Sequence, residues 1–318
     1  MSLTRRPYTS PVDYEHIRRL LQHTYTHSGP PVYATVGDID WWRWGPGASP
    51  GETYRAQLWW DGHHELVGVL WPEMPWGQDM QVDLLVHPAY HSIEDEMLAW
   101  AEAQQRAAST GTSLRLTAWT FTRDTVRVTL FQERSYTRTD ESLVYLHRSL
   151  EQPPPTRILP PGYSIRSVST DEDIKQRVAV HRVAFAPSQM SEDGYRLLVR
   201  EAPTYRANLD LVVLAPDGNF AAFCLIWLDT VNALGVFEPV GCHPDYQRRG
   251  LTRAVMEEGL RRLHDLGAHT ASVNTHRGDE AATRLYVSTG FREIDCMEAW
   301  QKVVSKDSLS RLEPFEVE

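Results

Sequence analysis

The chain has 318 residues, of which 42% are hydrophobic and 23% are charged, and its formal net charge is −10. This length favours two domains, and the composition is typical of globular proteins rather than disordered ones. The acidic balance argues against a general nucleic-acid-binding protein, which normally has a basic face. It suits a cationic partner such as a small-molecule amine.

The cysteines and the N-terminus indicate the compartment. Cys224, Cys242 and Cys296 have neither metal-ligand nor redox-motif spacing, so we expect buried thiols in a reducing compartment and no bound metal. The N-terminus has no apolar signal-peptide core, and no run approaches the roughly 18 apolar residues of a membrane span. These features predict a cytoplasmic protein without membrane contact.

The first half reads as a helix, three strands, a helix, a strand, a helix and a strand. Periodicity places the helices over 12–27, 92–108 and 125–134, and the strands over 54–60, 65–71, 80–86, 114–120 and 143–148. This half holds nine of the eleven tryptophans, and some of those near loops are candidates to line an acceptor pocket. These candidates are Trp41, Trp42, Trp44, Trp71 and Trp76.

A proline-rich stretch over 151–162 reads as an extended connector. It predicts one domain over 1–150, a second over 163–304 and a charged tail over 305–318. In the second half we expect strands over 163–168, 209–214, 220–228, 236–242, 270–275 and 291–303, and helices over 171–185, 191–200, 251–266 and 280–289.

The two halves share element order and short matching segments. The segment beginning at His87 (His-Pro-Ala-Tyr) lies 156 residues before the similar segment beginning at His243 (His-Pro-Asp-Tyr). Leu130-Phe131 lies 155 residues before Leu285-Tyr286, and Ser135-Tyr136 lies 155 before Gly290-Phe291. This pattern indicates duplication of one α/β unit.

The most informative stretch is a strand, a basic turn and a helix start. Arg248 and Arg249 supply positive charge, and Gly250 lets a ligand approach the free N–H groups of the helix. Pro239 interrupts the preceding strand and cannot donate to a sheet ladder, so we expect a gap or bulge there. Together these features predict an anion site beside an opening in the sheet.

The segment Gln247-Arg248-Arg249-Gly250-Leu251-Thr252 resembles the Q/R-x-x-G-x-G/A motif of the GNAT superfamily of acyl-CoA-dependent N-acetyltransferases. A later segment resembles that family's Ala-x-x-Leu-Tyr-x-x-x-Gly-Phe pattern, with Ala282, Leu285, Tyr286, Gly290 and Phe291. Two positions depart from the family: Thr252, where Gly or Ala is preferred, and Asp279, where Asn is frequent.

The resemblance implies an α/β (α+β) fold of two tandem GNAT-like domains. Each would have a mixed, mainly antiparallel sheet flanked by helices and splayed between strands 4 and 5. The resemblance also implies acetyl-CoA as cofactor. Its pantetheine arm would lie along the backbone at Val240, Gly241 and Cys242, and its pyrophosphate on the turn at Gln247–Thr252.

The resemblance makes Tyr286 the acid for the leaving thiolate, although it could simply pack a helix on the sheet. Glu238 is the candidate base, because regular pairing would set it among Val236, Val240 and Cys242, where its pKa would rise; a solvated glutamate is the alternative. Asn274 could polarise a carbonyl or orient water, or be structural. For His243 and His276 a turn or cap role is favoured over catalysis.

The first half lacks the cofactor signature. At the positions equivalent to 247–250 it has His91, Ser92, Ile93 and Glu94, a carboxylate where phosphate should sit. Phe131 stands opposite Tyr286, and Trp119 stands opposite Asn274. The first domain is therefore predicted to have the fold without the site.

The predicted function is direct transfer of an acetyl group from acetyl-CoA to a primary amine of a small molecule or peptide, by a monomer or homodimer. A mycothiol-synthase-like enzyme is one alternative, which a cysteinyl amine acceptor would distinguish. A non-catalytic acyl-CoA-binding regulatory or scaffold protein is another, and a structural protein with two inactive sites is a third.

Overall fold

A computed structural model of the chain describes residues 3–45, 55–73, 77–109, 113–152, 154–155 and 157–305. The strands are β1 (Thr4–Pro7), β2 (Gln57–Trp60), β3 (Leu66–Pro72), β4 (Met80–Val86), β5 (Leu114–Phe121), β6 (Thr137–Ser149), β7 (Ser164–Ser167), β8 (Asp210–Leu214), β9 (Phe220–Asp229), β10 (Leu234–Cys242), β11 (Thr270–His276) and β12 (Arg292–Val304). The α-helices are α1 (Pro11–Ser28), α2 (Val36–Trp44), α3 (Glu94–Ala108), α4 (Thr125–Glu133), α5 (Asp171–Ala184), α6 (Glu192–Glu201), α7 (Leu251–Asp265) and α8 (Glu280–Ser288). Short 3-10 helices cover Pro88–Ile93, Ala207–Leu209 and Pro244–Tyr246.

Each helix and strand predicted from periodicity is present, most of them with ends within a few residues of the prediction. β6 differs most, because it begins at Thr137 rather than at residue 143. One strand, β1, one α-helix, α2, and the short 3-10 helices were not predicted. Trp41, Trp42 and Trp44 belong to α2, which Trp44 ends, Trp71 lies on β3, and Trp76 lies outside the described residues.

The chain divides into two compact units that interleave along the sequence. The first unit comprises Met1–Ser28, Tyr54–Leu143 and Asp295–Glu318, and the second comprises Gly29–Thr53 and Val144–Ile294. This division differs from the predicted boundary at 151–162. Packing and strand pairing decide which unit each element belongs to. α2 packs on β9 and β10 of the second unit, and β12 pairs with β5 of the first.

In the first unit the strand order is β1-β2-β3-β4-β5-β12. The pairing is antiparallel except between β4 and β5, where Met80–Val82 pair in parallel with Leu116–Ala118. Its core joins side chains of α3 and α4, including Met97, Leu98 and Phe131, to those of the sheet.

In the second unit the strand order is β7-β8-β9-β10-β11-β6. β7 to β10 pair antiparallel, and β10 pairs in parallel with β11. One apolar cluster contains side chains of α7 and α8, and another contains side chains of α5 and α6. Both units therefore have the predicted mixed, mainly antiparallel sheet with flanking helices. Among the described residues, no helix combines the length and apolar character needed to cross a bilayer.

The two units contain the same histidine cap at equivalent positions, as duplication predicts. His87 caps a 3-10 turn by accepting a hydrogen bond from Ala89 N–H at 3.2 Å, and His243 accepts one from Asp245 N–H at 3.2 Å. These matched contacts support the repeat inferred from the sequence, and they give His243 the predicted cap role.

Candidate active site

The sheet of the second unit opens where the sequence predicts. β10 pairs with β11 only over Leu234–Val236, although β10 continues to Cys242. The register between β10 and β9 also shifts between Phe237 and Val240, which is a bulge around Pro239. The predicted splay between the fourth and fifth strands of this domain is confirmed.

The bulge changes which side chains share a face. Val240 and Cys242 pack against the same apolar cluster as Phe237, whereas the carboxyl of Glu238 interacts electrostatically with Asp38 of α2. The expectation that Glu238 shares a face with Val240 and Cys242 is wrong, because it assumed regular pairing and the bulge shifts the alternation.

The turn before α7 is shaped to expose backbone N–H groups. Arg248 and Gly250 have left-handed φ values of 61° and 74°, and Gly250, as the N-cap residue, provides no side-chain cap. The N–H groups of the first helical turn therefore lack the side-chain acceptor that usually satisfies one of them. Such a turn, with arginines beside it, suits a phosphate group.

The two arginines of the turn differ in their surroundings. Arg249 donates hydrogen bonds to the Tyr163 hydroxyl at 2.7 Å and to the Asp245 carbonyl at 2.9 Å. Arg248 and Gln247 are exposed. Arg249 therefore holds the loop together while adding to its positive field, and Arg248 can turn toward a ligand.

The side chain of Thr252 is oriented toward β10. Burial raises the pKa of the Cys242 thiol, and the nearby Thr252 side chain acts in the opposite direction. Leu251 is buried and joins the apolar cluster of α7. Gly241 lies against Phe223, because an added Cβ would come within 2.3 Å of that ring. Backbone at the open strand and N–H donors at the turn thus fit the amides and pyrophosphate of coenzyme A.

Tyr286 lies in α8, is 6% exposed and packs edge-on against Phe291 at 6.3 Å. Burial raises the pKa of its phenol, and the negative charges of Asp279 and Glu238 raise it further. A phenol in this environment stays protonated and can donate a proton, as an acid must. Although Glu238 does not share the face of Val240 and Cys242, its charge acts on Tyr286, so two of the three predicted catalytic residues influence each other electrostatically.

The third candidate, Asn274, is exposed on β11, beyond the last residue that pairs with β10. His276 is also exposed. The described residues contain no group of three His, Cys, Asp or Glu side chains arranged to hold a metal ion.

Asp38 is a site residue that sequence reasoning missed. It lies in α2, is 7% exposed, and its carboxyl interacts electrostatically with that of Glu238. The signal that could have found it is Thr35-Val36-Gly37-Asp38, a helix-capping pattern with an acid three residues after Thr. That pattern predicts a helix start but does not say what the helix packs against.

The equivalent place in the first unit is closed by a buried ion pair. Glu94, the first residue of α3, binds Arg127 of α4 at 2.7 Å, and both side chains are 1% exposed. Arg127 also donates to the carbonyls of Leu84 on β4 and Trp119 on β5, at 3.2 and 3.4 Å. A guanidinium thus spans the two diverging strands, and a carboxylate occupies the helix start.

Comparisons with known proteins agree with this geometry. Residues 177–291 match the model of the acetyltransferase (GNAT) family. A mycothiol acetyltransferase of Streptomyces coelicolor is 31% identical over 143 residues, which are 44% of this chain and 46% of that protein. Another, from Pseudarthrobacter chlorophenolicus, is 26% identical over 224 residues and 67% of each chain. The chain thus matches about half the length of the first relative.

Two solved structures share the fold over nearly the whole chain. A GCN5-related N-acetyltransferase from Sphaerobacter thermophilus has a TM-score of 0.68 and 18% identity, and the match covers 95% of this chain and 96% of that one. A tandem GNAT protein from the clavulanic acid biosynthesis pathway has a TM-score of 0.71 and 16% identity, covering 95% and 99%. At these identities the likeness shows the fold alone.

Proposed function

We propose that this chain is a GNAT acetyltransferase, because residues 177–291 match that family's model, and that this domain transfers an acetyl group from acetyl-CoA to the primary amine of a small molecule. One observation carries the proposal. The opening between β10 and β11 lies beside the uncapped, basic start of α7. An open strand edge and a helix start are what a pantetheine arm and a pyrophosphate need.

The binding roles follow from this arrangement. The backbone of Val240, Gly241 and Cys242 would receive the pantetheine amides, and the turn at Gln247–Thr252 would receive the pyrophosphate. Acetyl-CoA supplies an acetyl group already activated as a thioester. The protein then has to orient an amine, remove a proton from it and protonate the departing sulfur.

Two side chains are assigned to the proton transfers. Glu238 takes a proton from the amine, and Tyr286, kept protonated by its buried setting, gives one to the sulfur. Asn274 would act only if the acceptor reaches the exposed part of β11, so its part in catalysis stays a prediction. The cytoplasmic location and the state of monomer or homodimer also stay predictions.

A second candidate concerns the acceptor. The relatives named mycothiol acetyltransferase favour a cysteinyl amine, and this acceptor belongs in any substrate panel. A protein that binds acetyl-CoA without transferring its acetyl group is the alternative from a different class.

The test measures release of the coenzyme A thiol with a panel of amines: a monoamine, a polyamine, an aminoglycoside and a cysteinyl glycoside. We expect release that depends on one class of amine, and a loss of about 100-fold in kcat in Tyr286→Phe without change in the KM for acetyl-CoA. Tyr205→Phe is the matched control, because it removes a half-buried hydroxyl that binds Asp210 at 3.1 Å. Acetyl-CoA binding without transfer to any amine would contradict the proposal.

A further inference from the structure

A segment from early in the chain contributes to the opening in the second unit. α2 lies close to the sheet because Gly37 has no side chain; a Cβ there would come within 2.4 Å of Trp227 Cβ. Trp227 in turn donates from its indole N–H to the Glu238 carbonyl at 2.7 Å. One tryptophan thus contacts both α2 and the bulged strand, and it sets the distance between them.

Asp38 is fixed by its own helix start. Its Oδ2 accepts hydrogen bonds from the Thr35 N–H at 2.6 Å and from the Thr35 hydroxyl at 2.7 Å. Asp38 N–H returns a hydrogen bond to Thr35 Oγ1 at 3.3 Å, which completes a capping box. These donors favour the ionised form of Asp38 over that of Glu238.

Glu238 is the more accessible member of the pair. Its residue is half-buried, whereas Asp38 is 7% exposed, so an acceptor would reach Glu238 before Asp38. The contact of Gly37 with Trp227 and the hydrogen bond from Trp227 to Glu238 bring the two carboxyls near each other, and two neighbouring buried carboxyls without a cation share a proton rather than both ionise. Burial and the charge of Asp38 both raise the pKa of Glu238, and burial raises that of Asp38.

The neighbouring elements provide no charge that balances the pair. α5 presents His181, whose pKa burial lowers to about 3, and Arg177, which binds Asp210 at 3.3 Å. α8 presents the Tyr286 phenol and β9 the Cys224 thiol, and burial raises both pKa values. Among the described residues, no basic side chain forms an ion pair with Asp38 or Glu238.

We propose that Asp38 is the positioning residue of the acceptor site: it holds the Glu238 carboxyl through one shared proton, so that the pair presents a single negative charge to the ammonium group of the acceptor. This inference rests on the proposed acetyl transfer. It also narrows the acceptor to amines that arrive as cations.

The pair accounts for the proton balance of the reaction. The ammonium gives one proton to the pair, which then holds two, and the freed nitrogen lone pair attacks the acetyl carbonyl carbon. The C–N bond forms and the C–S bond breaks. The second nitrogen proton reaches the sulfur by way of the Tyr286 hydroxyl, which gives one proton and regains one. The pair then releases its extra proton to water.

The first arm of the test needs no acceptor. Urea unfolding of the full chain is measured from pH 5 to 9 for the wild type, Glu238→Gln and Asp38→Asn. A folded pair that retains its proton binds more protons than the unfolded chain, so stability falls as pH rises above the ordinary carboxyl pKa. We expect the unfolding equilibrium constant of the wild type to rise, relative to either variant, by up to tenfold per pH unit.

Asp173→Asn is the matched control. Asp173 forms the same capping box with Thr170 at the start of α5, but its other partner is Arg166 at 2.6 Å. This variant loses a cap without touching Glu238, so its curve should keep the pH dependence of the wild type in that range. Parallel curves for the wild type and Glu238→Gln would show that no proton is shared, and would overturn the proposal.

The second arm uses whichever amine of the panel the wild type acetylates. We expect Asp38→Asn to lower kcat/KM for that amine at least tenfold with the KM for acetyl-CoA unchanged, and Asp173→Asn to match the wild type. Equal kcat/KM in Asp38→Asn would overturn the positioning role. A wild type that acetylates no amine would overturn the proposed function and the acceptor role with it, whereas the stability curves decide the shared proton independently.

Discussion

Disrupting the buried ion pair of the first unit is expected to have the largest effect on the free energy of unfolding. Glu94 and Arg127 are each 1% exposed. Burial acts to raise the pKa of Glu94, but the charge and hydrogen bonds of Arg127 and His91 outweigh it and lower the pKa from 4.5 to about 2. A shift of this size corresponds to about 3 kcal/mol of stability at neutral pH. That stability is present above pH 4.5 and is lost as pH falls toward 2.

Arg127→Ala should therefore lower the free energy of unfolding by about 3 kcal/mol at pH 7, because it leaves the Glu94 charge buried without its main partner. Urea unfolding followed by tryptophan fluorescence measures the loss. Replacing both residues, Glu94→Leu with Arg127→Met, should cost much less, since no charge is then left buried. A loss below about 1 kcal/mol in Arg127→Ala, or the same loss at pH 3 as at pH 7, would refute the reasoning.

Three further predictions concern the second unit. Gly37→Ala should cost about 1–3 kcal/mol in urea unfolding, because its Cβ would overlap Trp227; Gly278→Ala, whose Cβ would meet nothing within 4 Å, is the control. His181→Phe should make the free energy of unfolding depend less on pH in acid. Burial lowers the pKa of His181 from 6.5 to about 3, so the wild type loses up to about 1.4 kcal/mol of stability per pH unit between those values. An equally steep pH dependence in the variant would rule this out. Thr252→Ala should change the calorimetric affinity for acetyl-CoA less than threefold, because the Thr252 side chain acts on the pKa of the Cys242 thiol and so lies near it; a tenfold change would mean that the hydroxyl meets the ligand.

Local sequence signals predicted the elements and the turn because their causes are local. The glycine at position 250 has the left-handed φ that the turn requires, and Pro239 lies within the register shift of β10. The absence of the cofactor-binding signature from the first half could also be predicted, since Glu94 stands at the start of α3. In each case a residue type dictates a conformation or a charge within a few positions.

The unpredicted features depend on contacts distant in sequence. α2 is short, and its partners β9 and β10 lie about 190 residues later, so periodicity could not assign it to the second unit. The bulge was expected, but its effect on Glu238 was not, because one shift in register moves a side chain to the other face. The proximity of Asp38 to Glu238 could not be predicted for the same reason, because nothing near Asp38 in sequence indicates a carboxyl partner.

The most direct test of the account is calorimetric titration of the full chain with acetyl-CoA. We predict saturable binding at one site per chain, because Arg127 closes the equivalent place in the first unit, and no binding in Gly250→Glu, which puts a carboxylate at the start of α7. Gly267→Glu is the matched control, since Gly267 also has a positive φ, of 82°, and open space around it. The absence of heat in the wild type, two sites per chain, or unchanged binding in Gly250→Glu would contradict the account.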